Sequence, residues 1–245
     1  MKGLIVPVSA ILLAEASARI FGIQNGSLAA PSDAAAALVR ALADGTLVAA
    51  TAQTLGAAMT GLALGAGFGL LVAAIIGLSP TAARLLSLPI EFLRPIPSVA
   101  LLPLALLVFG FGFRLEVSVV AFASFWPMVI VGGAAIAQIE PQLLEVARVL
   151  RLGWAARVGK IVLPAALPRL FVALRLAAGV ALIVAVTVEI ALNPFGLGFA
   201  MMEAEQTMRP ALMFAVLIWI GVLGWAVNQA LLLAQRRLFG QAAAP

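Results

Sequence analysis

An all-α integral membrane protein of about six transmembrane helices, interrupted by one long charged helical loop, is the fold this sequence predicts. Three observations predict it. Apolar residues make up 64% of the 245-residue chain and charged residues only 10%, against about 25% charged in soluble globular domains. The apolar residues gather into runs long enough to cross the roughly 30 Å hydrocarbon core of a bilayer, and the mean hydropathy is +1.17. The lysines and arginines concentrate on alternate connections between these runs, the asymmetry that orients a multi-span protein. One transmembrane domain over residues 1–245 accounts for the length, with the charged loop at about 138–169.

The first run, Met1 to about Gly22, begins at Lys2 and carries Glu15 and Arg19 near its end. Its short apolar stretch and the small residues Ala16-Ser17-Ala18 also fit a signal peptide. The spacing of Glu15 and Arg19, which lets them pair on one helix face, suits a retained first span at the membrane boundary. Ser32-Asp33 are expected to cap a short amphipathic helix ending near Gly45, outside the bilayer or in its interface. The second span, about Leu47 to Leu78, has Gly61, Gly65 and Gly69 at four-residue intervals, a face that lets another backbone come close. A turn over Gly77 to Arg94, carrying Arg84, Glu91 and Arg94, leads to a third span from about Pro95 to Phe111. Its prolines, Pro95, Pro97 and Pro103, predict an irregular start. After a short loop with Arg114 and Glu116, the fourth span covers about Val117 to Ala137. The fifth, about Leu170 to Leu192, repeats Ala173, Ala177, Ala181 and Ala185 and ends in Glu189 and the run NPFGLG. A loop with Glu203, Glu205 and Arg209 precedes the sixth, about Ala211 to Leu233, and Arg236-Arg237 close it.

Between the fourth and fifth spans, Glu140 to Pro168 is the one long stretch that is both charged and helix-patterned. Glu140-Pro141 suits a helix start, because proline at the first helical position gives up no hydrogen bond. Leu143, Leu144, Ala147 and Leu150 recur at helical spacing, while Glu145, Arg148 and Arg151 fall on other sides. Gly153 is expected to end this helix, and Trp154, Val158 and Ile161 mark a second short one before Leu163-Pro164. A basic, partly apolar helix-turn-helix projecting from a membrane is a docking element.

The same stretch resembles the coupling loop of permease subunits of ATP-binding cassette (ABC) importers. That pattern is Glu-Ala-Ala, three residues, Gly, nine residues, Ile, one residue, Leu-Pro. Glu145, Ala147, Ile161, Leu163 and Pro164 fall on it at the right spacing. Val146 replaces the first alanine. Arg151 stands where the glycine belongs, with Gly153 two residues late, and arginine adopts left-handed dihedrals far less easily than glycine. Glu91-Phe92-Leu93-Arg94-Pro95-Ile96-Pro97 and NPFGLG are similar to segments of the subfamily that imports nitrate, sulfonates, taurine and bicarbonate. The resemblance runs from about Pro31 onward. It implies a type I importer permease fold and a pathway formed with a second permease subunit, identical or different. It further implies two ABC ATPase subunits docked on the loop, a periplasmic or surface substrate-binding protein, and a bacterial inner membrane. The substrate it implies is a small anion of that class, or another small solute.

The chemistry excluded is as informative. The chain lacks histidine, cysteine and tyrosine, so zinc sites, His-activated nucleophiles and disulfides have no residues to build on. No catalytic, metal or cofactor residue is expected. Gly153-WAARV-Gly159-Lys160-Ile161 superficially resembles a phosphate-binding loop, but five residues rather than four separate the glycines and no Ser or Thr follows the lysine. ATP hydrolysis therefore belongs to a separate chain. The net charge of +5 is explained by membrane orientation, with both termini and the loop cytoplasmic, and calls for no nucleic acid. Glu189 is the acid of most interest within a span: ionisable residues at membrane depth usually face a pathway or the bundle interior, and it is a candidate pathway or gate residue unless solvated at the outer boundary. A secondary transporter is the main rival, but it predicts two repeated halves with buried ionisable couplers, and no convincing internal repeat is present.

Overall fold

With so few polar side chains to hold irregular backbone, the chain satisfies its peptide groups within helices. The computed structural model describes residues 5–20 and 28–239, all helix or short connection; Lys2 and Gly22 lie outside the described residues. The helices are α1 (Ile5–Ile20), α2 (Pro31–Ala43), α3 (Thr46–Leu78), α4 (Pro80–Leu93), α5 (Leu102–Phe109), α6 (Phe113–Pro127), α7 (Gly133–Ala137), α8 (Pro141–Val149), α9 (Trp154–Arg157), α10 (Leu163–Ala191), α11 (Gly196–Gln206) and α12 (Pro210–Phe239). A 3₁₀ turn at Ser98–Leu101 precedes α5. Wider π turns at Met128–Gly132 and Val158–Val162 join α6 to α7 and α9 to α10.

Four continuous helical stretches, Thr46–Leu78, Phe113–Ala137, Ala155–Ala191 and Pro210–Leu238, are long and apolar enough to cross a bilayer. A fifth crossing arises if Pro80–Leu93 and Ser98–Phe109, bent by 79°, count as one span. The first expected span corresponds to α1, 16 described residues, against the roughly 20 a crossing needs. The described residues thus give four or five crossings where about six are expected.

Several expected turns are helices instead. Gly77 to Arg94 is mostly α4: Ser79 caps it by accepting from the Ala82 amide at 3.2 Å, with Pro80 at its start. That Ser-Pro pair is a helix-start signal. The expected loop with Glu203 and Glu205 is α11, and Arg114 and Glu116 sit in the first turn of α6. The fifth expected span begins earlier than Leu170: α10 starts at Leu163 and belongs to the continuous helical stretch Ala155–Ala191. Ser32 and Asp33 do not cap α2; Ala30 stands at the cap and Pro31 opens the helix. Ser32 is otherwise engaged, its amide and hydroxyl donating to the Glu15 carboxylate at 3.0 and 2.8 Å. Glu15 also pairs with Arg19 at 2.6 Å.

By packing, the chain divides into two compact units, residues 1–55 with 186–225, and residues 56–185 with 226–245. In the second unit, α3 lies on α6 and the turn beyond it through its glycine stripe. A Cβ at Gly61 would stand 2.6 Å from Val120, one at Gly69 would stand 2.7 Å from Met128, and one at Gly65 would collide with the Ala121 carbonyl. The stripe therefore brings two helices to backbone contact. Below it, Ala73, Ala74, Ala135, Ile136, Ile139, Val162, Ala166 and Leu170 form one buried apolar cluster, with Leu163 against its edge.

Candidate functional sites: an exposed loop helix and a buried carboxylate

The charged loop belongs to the second unit. Pro141 opens α8, and the Leu143 amide bonds the Glu140 carbonyl at 3.1 Å. Leu143, Val146 and Leu150 share one face at helical spacing and are 39%, 51% and 62% exposed. Glu145 is exposed on the opposite side, and Ala147 is buried. Ala147 is thus a contact within the chain, and the apolar side chains open to a partner are the Leu143–Val146–Leu150 stripe together with Val149, one turn beyond Glu145.

The end of α8 differs from expectation. Arg151 itself takes the left-handed backbone, φ 50°, while Gly153 is not among the positive-φ residues. The Leu152 amide bonds the Ala147 carbonyl at 3.0 Å, the six-to-one bond of a Schellman helix end with Arg151 at the position glycine usually fills. The turn is made by an arginine, at the position where the motif has glycine. A Cβ on Gly153 would touch nothing within 4 Å. Further on, Ile161 is half-buried and Pro164 exposed, whereas Val162 and Leu163 pack into or against the apolar cluster with the ends of α3 and α7. Val162, between the motif's Ile161 and Leu163, escaped the sequence reading although it is 1% exposed. At the start of α10, the Arg169 guanidinium donates to Gln138 Oε1 at 3.3 Å. The loop is therefore an exposed helix rooted in a packed core.

The second site lies in the first unit. Glu189, near the end of α10, is 1% exposed and Thr54 of α3 is fully buried. Thr54 donates to Glu189 Oε1 at 2.6 Å and accepts from the Leu197 amide at 2.9 Å. The Gly198 amide donates to Glu189 Oε2 at 2.8 Å. Leu197 and Gly198 are in the first turn of α11, whose N-cap, Phe195, offers no side-chain acceptor. Two of the amides left open by a helix start are here satisfied by residues of α3 and α10. A Cβ at Gly196, φ 92°, would collide with the Glu189 carboxylate, and one at Gly198 with the Val186 carbonyl. Glu189 is enclosed by its own chain, not solvated. One turn earlier on α3, Thr51 accepts from the Trp219 indole at 2.8 Å. Sequence reasoning singled out Glu189 and NPFGLG but not Thr54, which no local pattern marks.

A membrane-embedded helical bundle with an exposed amphipathic loop helix is the architecture of an ABC-importer permease. The fold is similar to a chain of the MetNI methionine ABC transporter in an inward-facing conformation, with TM-score 0.69 at 20% identity over 81% of this chain and 96% of that one. Residues 65–240 match the family model for the binding-protein-dependent transport system inner membrane component, and the chain belongs to that family. It is 29% identical over 238 residues to the putative aliphatic sulfonates transport permease protein SsuC of Bacillus subtilis (strain 168), covering 97% of this chain and 86% of that protein. It is 30% identical over 177 residues to the bicarbonate transport system permease protein CmpB of Synechococcus elongatus, covering 72% and 64%.

Proposed function

We propose that this ABC permease carries a small anion of the sulfonate, taurine, nitrate or bicarbonate class, delivered by a binding protein. The pathway is built with a second permease chain, and two ATPase subunits dock on α8. The observation that carries the docking reading is the exposed Leu143–Val146–Leu150 stripe, with Glu145 on the other side of the same helix. An apolar ridge on a short helix suits a groove on a partner, and the packing of Val162 and Leu163 gives its motion a route into the spans. The anion class rests on the relatives, whose names specify aliphatic sulfonates and bicarbonate. Placement in a bacterial inner membrane, with both termini and α8 cytoplasmic, rests on the family and the asymmetry of lysine and arginine.

The chain supplies no ATP chemistry of its own, so the purified permease neither binds nor hydrolyses nucleotide. Nucleotide binding abolished by Lys160→Ala would overturn that reading. Glu189, at 1% exposure, acts in gating through the helix it holds rather than as a wall of the pathway.

The test is uptake of labelled sulfonate, taurine, nitrate and bicarbonate by vesicles containing the permease with its ATPase and binding protein. Glu145→Lys should leave insertion intact and weaken ATPase retention or coupling by roughly 1–3 kcal/mol. Normal retention and normal uptake per ATP in that variant would remove Glu145 from the docking role. Transport of none of these anions by the wild type would refute the substrate class alone.

A further inference from the structure

The sequence pattern that surrounds Glu189 is explained by what the carboxylate touches. Phe195 has no side-chain oxygen with which to cap α11. Thr54 has one hydroxyl, which accepts from the Leu197 amide and lies within hydrogen-bond distance of both Glu189 Oε1, at 2.6 Å, and the Ala50 carbonyl of its own helix, at 3.1 Å. The other carboxylate oxygen accepts from the Gly198 amide. Acceptors at a helix N-terminus satisfy amides that have no partner within the helix. Here the acceptors come from other helices, so the bonds at the start of α11 also tie it to α10 and α3. The glycines follow from the same geometry: a side chain at Gly196 would occupy the carboxylate's space, and one at Gly198 would strike the Val186 carbonyl.

We infer that Glu189 and Thr54 are positioning residues for transport, forming a hydrogen-bonded latch that holds α11 against α10 and α3. This rests on the permease reading for its consequence, though not for its geometry. Undocking α11 breaks the bond from the Leu197 amide to Thr54 and the bond from the Gly198 amide to Glu189, while the bond between Thr54 and Glu189 belongs to α3 and α10 and is the platform on which α11 docks. Glu189→Gln replaces one carboxylate oxygen with an amide nitrogen, which donates but does not accept. Removing the Thr54 hydroxyl takes away the acceptor of the Leu197 amide and the Thr54 contact of the Glu189 carboxyl.

The absence of native cysteine provides a direct test. Ala204, buried at 1% on α11, is replaced by cysteine, and its maleimide labelling is followed in the assembled permease–ATPase complex. Thr54→Val, nearly isosteric, and Glu189→Gln should each raise the labelling rate by about tenfold or more, the rate following the population of the undocked helix. Thr54→Ser, which restores the hydroxyl, should return it near the wild-type value. Uptake per ATP should fall in the first two variants and recover in the third. Unchanged labelling in Thr54→Val overturns the latch. So does equally fast labelling in Thr54→Val and Thr54→Ser, since packing rather than the hydroxyl would then be responsible. If Glu189→Gln does not assemble, the two Thr54 variants decide the matter. If wild-type vesicles transport none of the trial anions, the substrate class fails while the labelling result stands.

Discussion

The Leu152 amide donates to the Ala147 carbonyl across 3.0 Å, closing the helix that carries Glu145 around a left-handed arginine. This end satisfies a carbonyl that would otherwise be left open and fixes the direction in which the chain leaves α8. The arrangement makes Arg151 a strained residue and Gly153 an ordinary one.

Arg151→Gly should therefore stabilise the loop, because glycine adopts positive φ without the roughly 1 kcal/mol cost borne by a side chain. Gly153→Ala should change stability by less than about 0.5 kcal/mol, as for other unconstrained surface positions. Thermal unfolding of the purified permease, together with retention of its ATPase, checks both. A larger loss at Gly153 than at Arg151 would place the turn two residues later.

Gly65→Ala should destabilise the second unit by about 1–3 kcal/mol through overpacking, because its Cβ would meet the Ala121 backbone. Gly67→Ala, open on all sides within 4 Å, should be neutral or stabilising by about 0.5–1 kcal/mol from helix propensity. The pair is read by apparent melting temperature and monodisperse yield in detergent. Equal behaviour of the two variants would contradict the close contact of α3 with α6.

Gly196→Ala combines a forbidding φ of 92° with a collision against the Glu189 carboxylate. It should cost about 2–4 kcal/mol, the sum of left-handed strain and overpacking. Combining it with Glu189→Ala should be strongly non-additive, since the second change removes the obstacle that the first runs into. Additive losses across that cycle would show that the two positions are not in contact.

Asp44 accepts from the Thr46 amide at 2.9 Å and the Thr46 hydroxyl at 2.7 Å, and these bonds hold its carboxyl below its ordinary value of 3.8. The sign follows: the contribution is present above that value and is lost as the pH falls through the lower folded-state value. Asp44→Asn should flatten this part of the stability profile below about pH 4. Melting temperature measured against pH for the two proteins makes the comparison, and identical slopes would rule Asp44 out.

Much of the second unit was legible in the sequence because its signals are local. Three glycines at four-residue spacing can serve one helix face, and the structure puts Val120, Ala121 and Met128 against them. The start of α8 at Pro141 was legible for the same reason. The misreadings share a physical cause. Prolines and charges around Pro80 and Glu203 have the composition of turns, yet a proline at a helix start and carboxylates on a short helix are compatible with helical backbone. The Arg151 turn was missed because sequence favours glycine wherever φ is positive, while a bonded helix end tolerates the strain. Thr54 and Glu189 meet across 135 residues, and no periodicity encodes a contact of that range.

The π turn at Met128–Gly132 has a consequence for sequence comparison and engineering. A π turn holds about one residue more than an α turn, and each residue advances an α-helix by roughly 100°. Everything from Gly133 to Ala137 is thus out of phase with a straight continuation of α6, and it is in this phase that Gly133 meets Ile76 and Ile136 meets Gly77. Deleting one residue from the turn would regularise the backbone hydrogen bonds while rotating those two residues away from α3. A gap placed here in an alignment exchanges one helix face for another, so the number of residues at 128–132 is itself part of how this bundle packs.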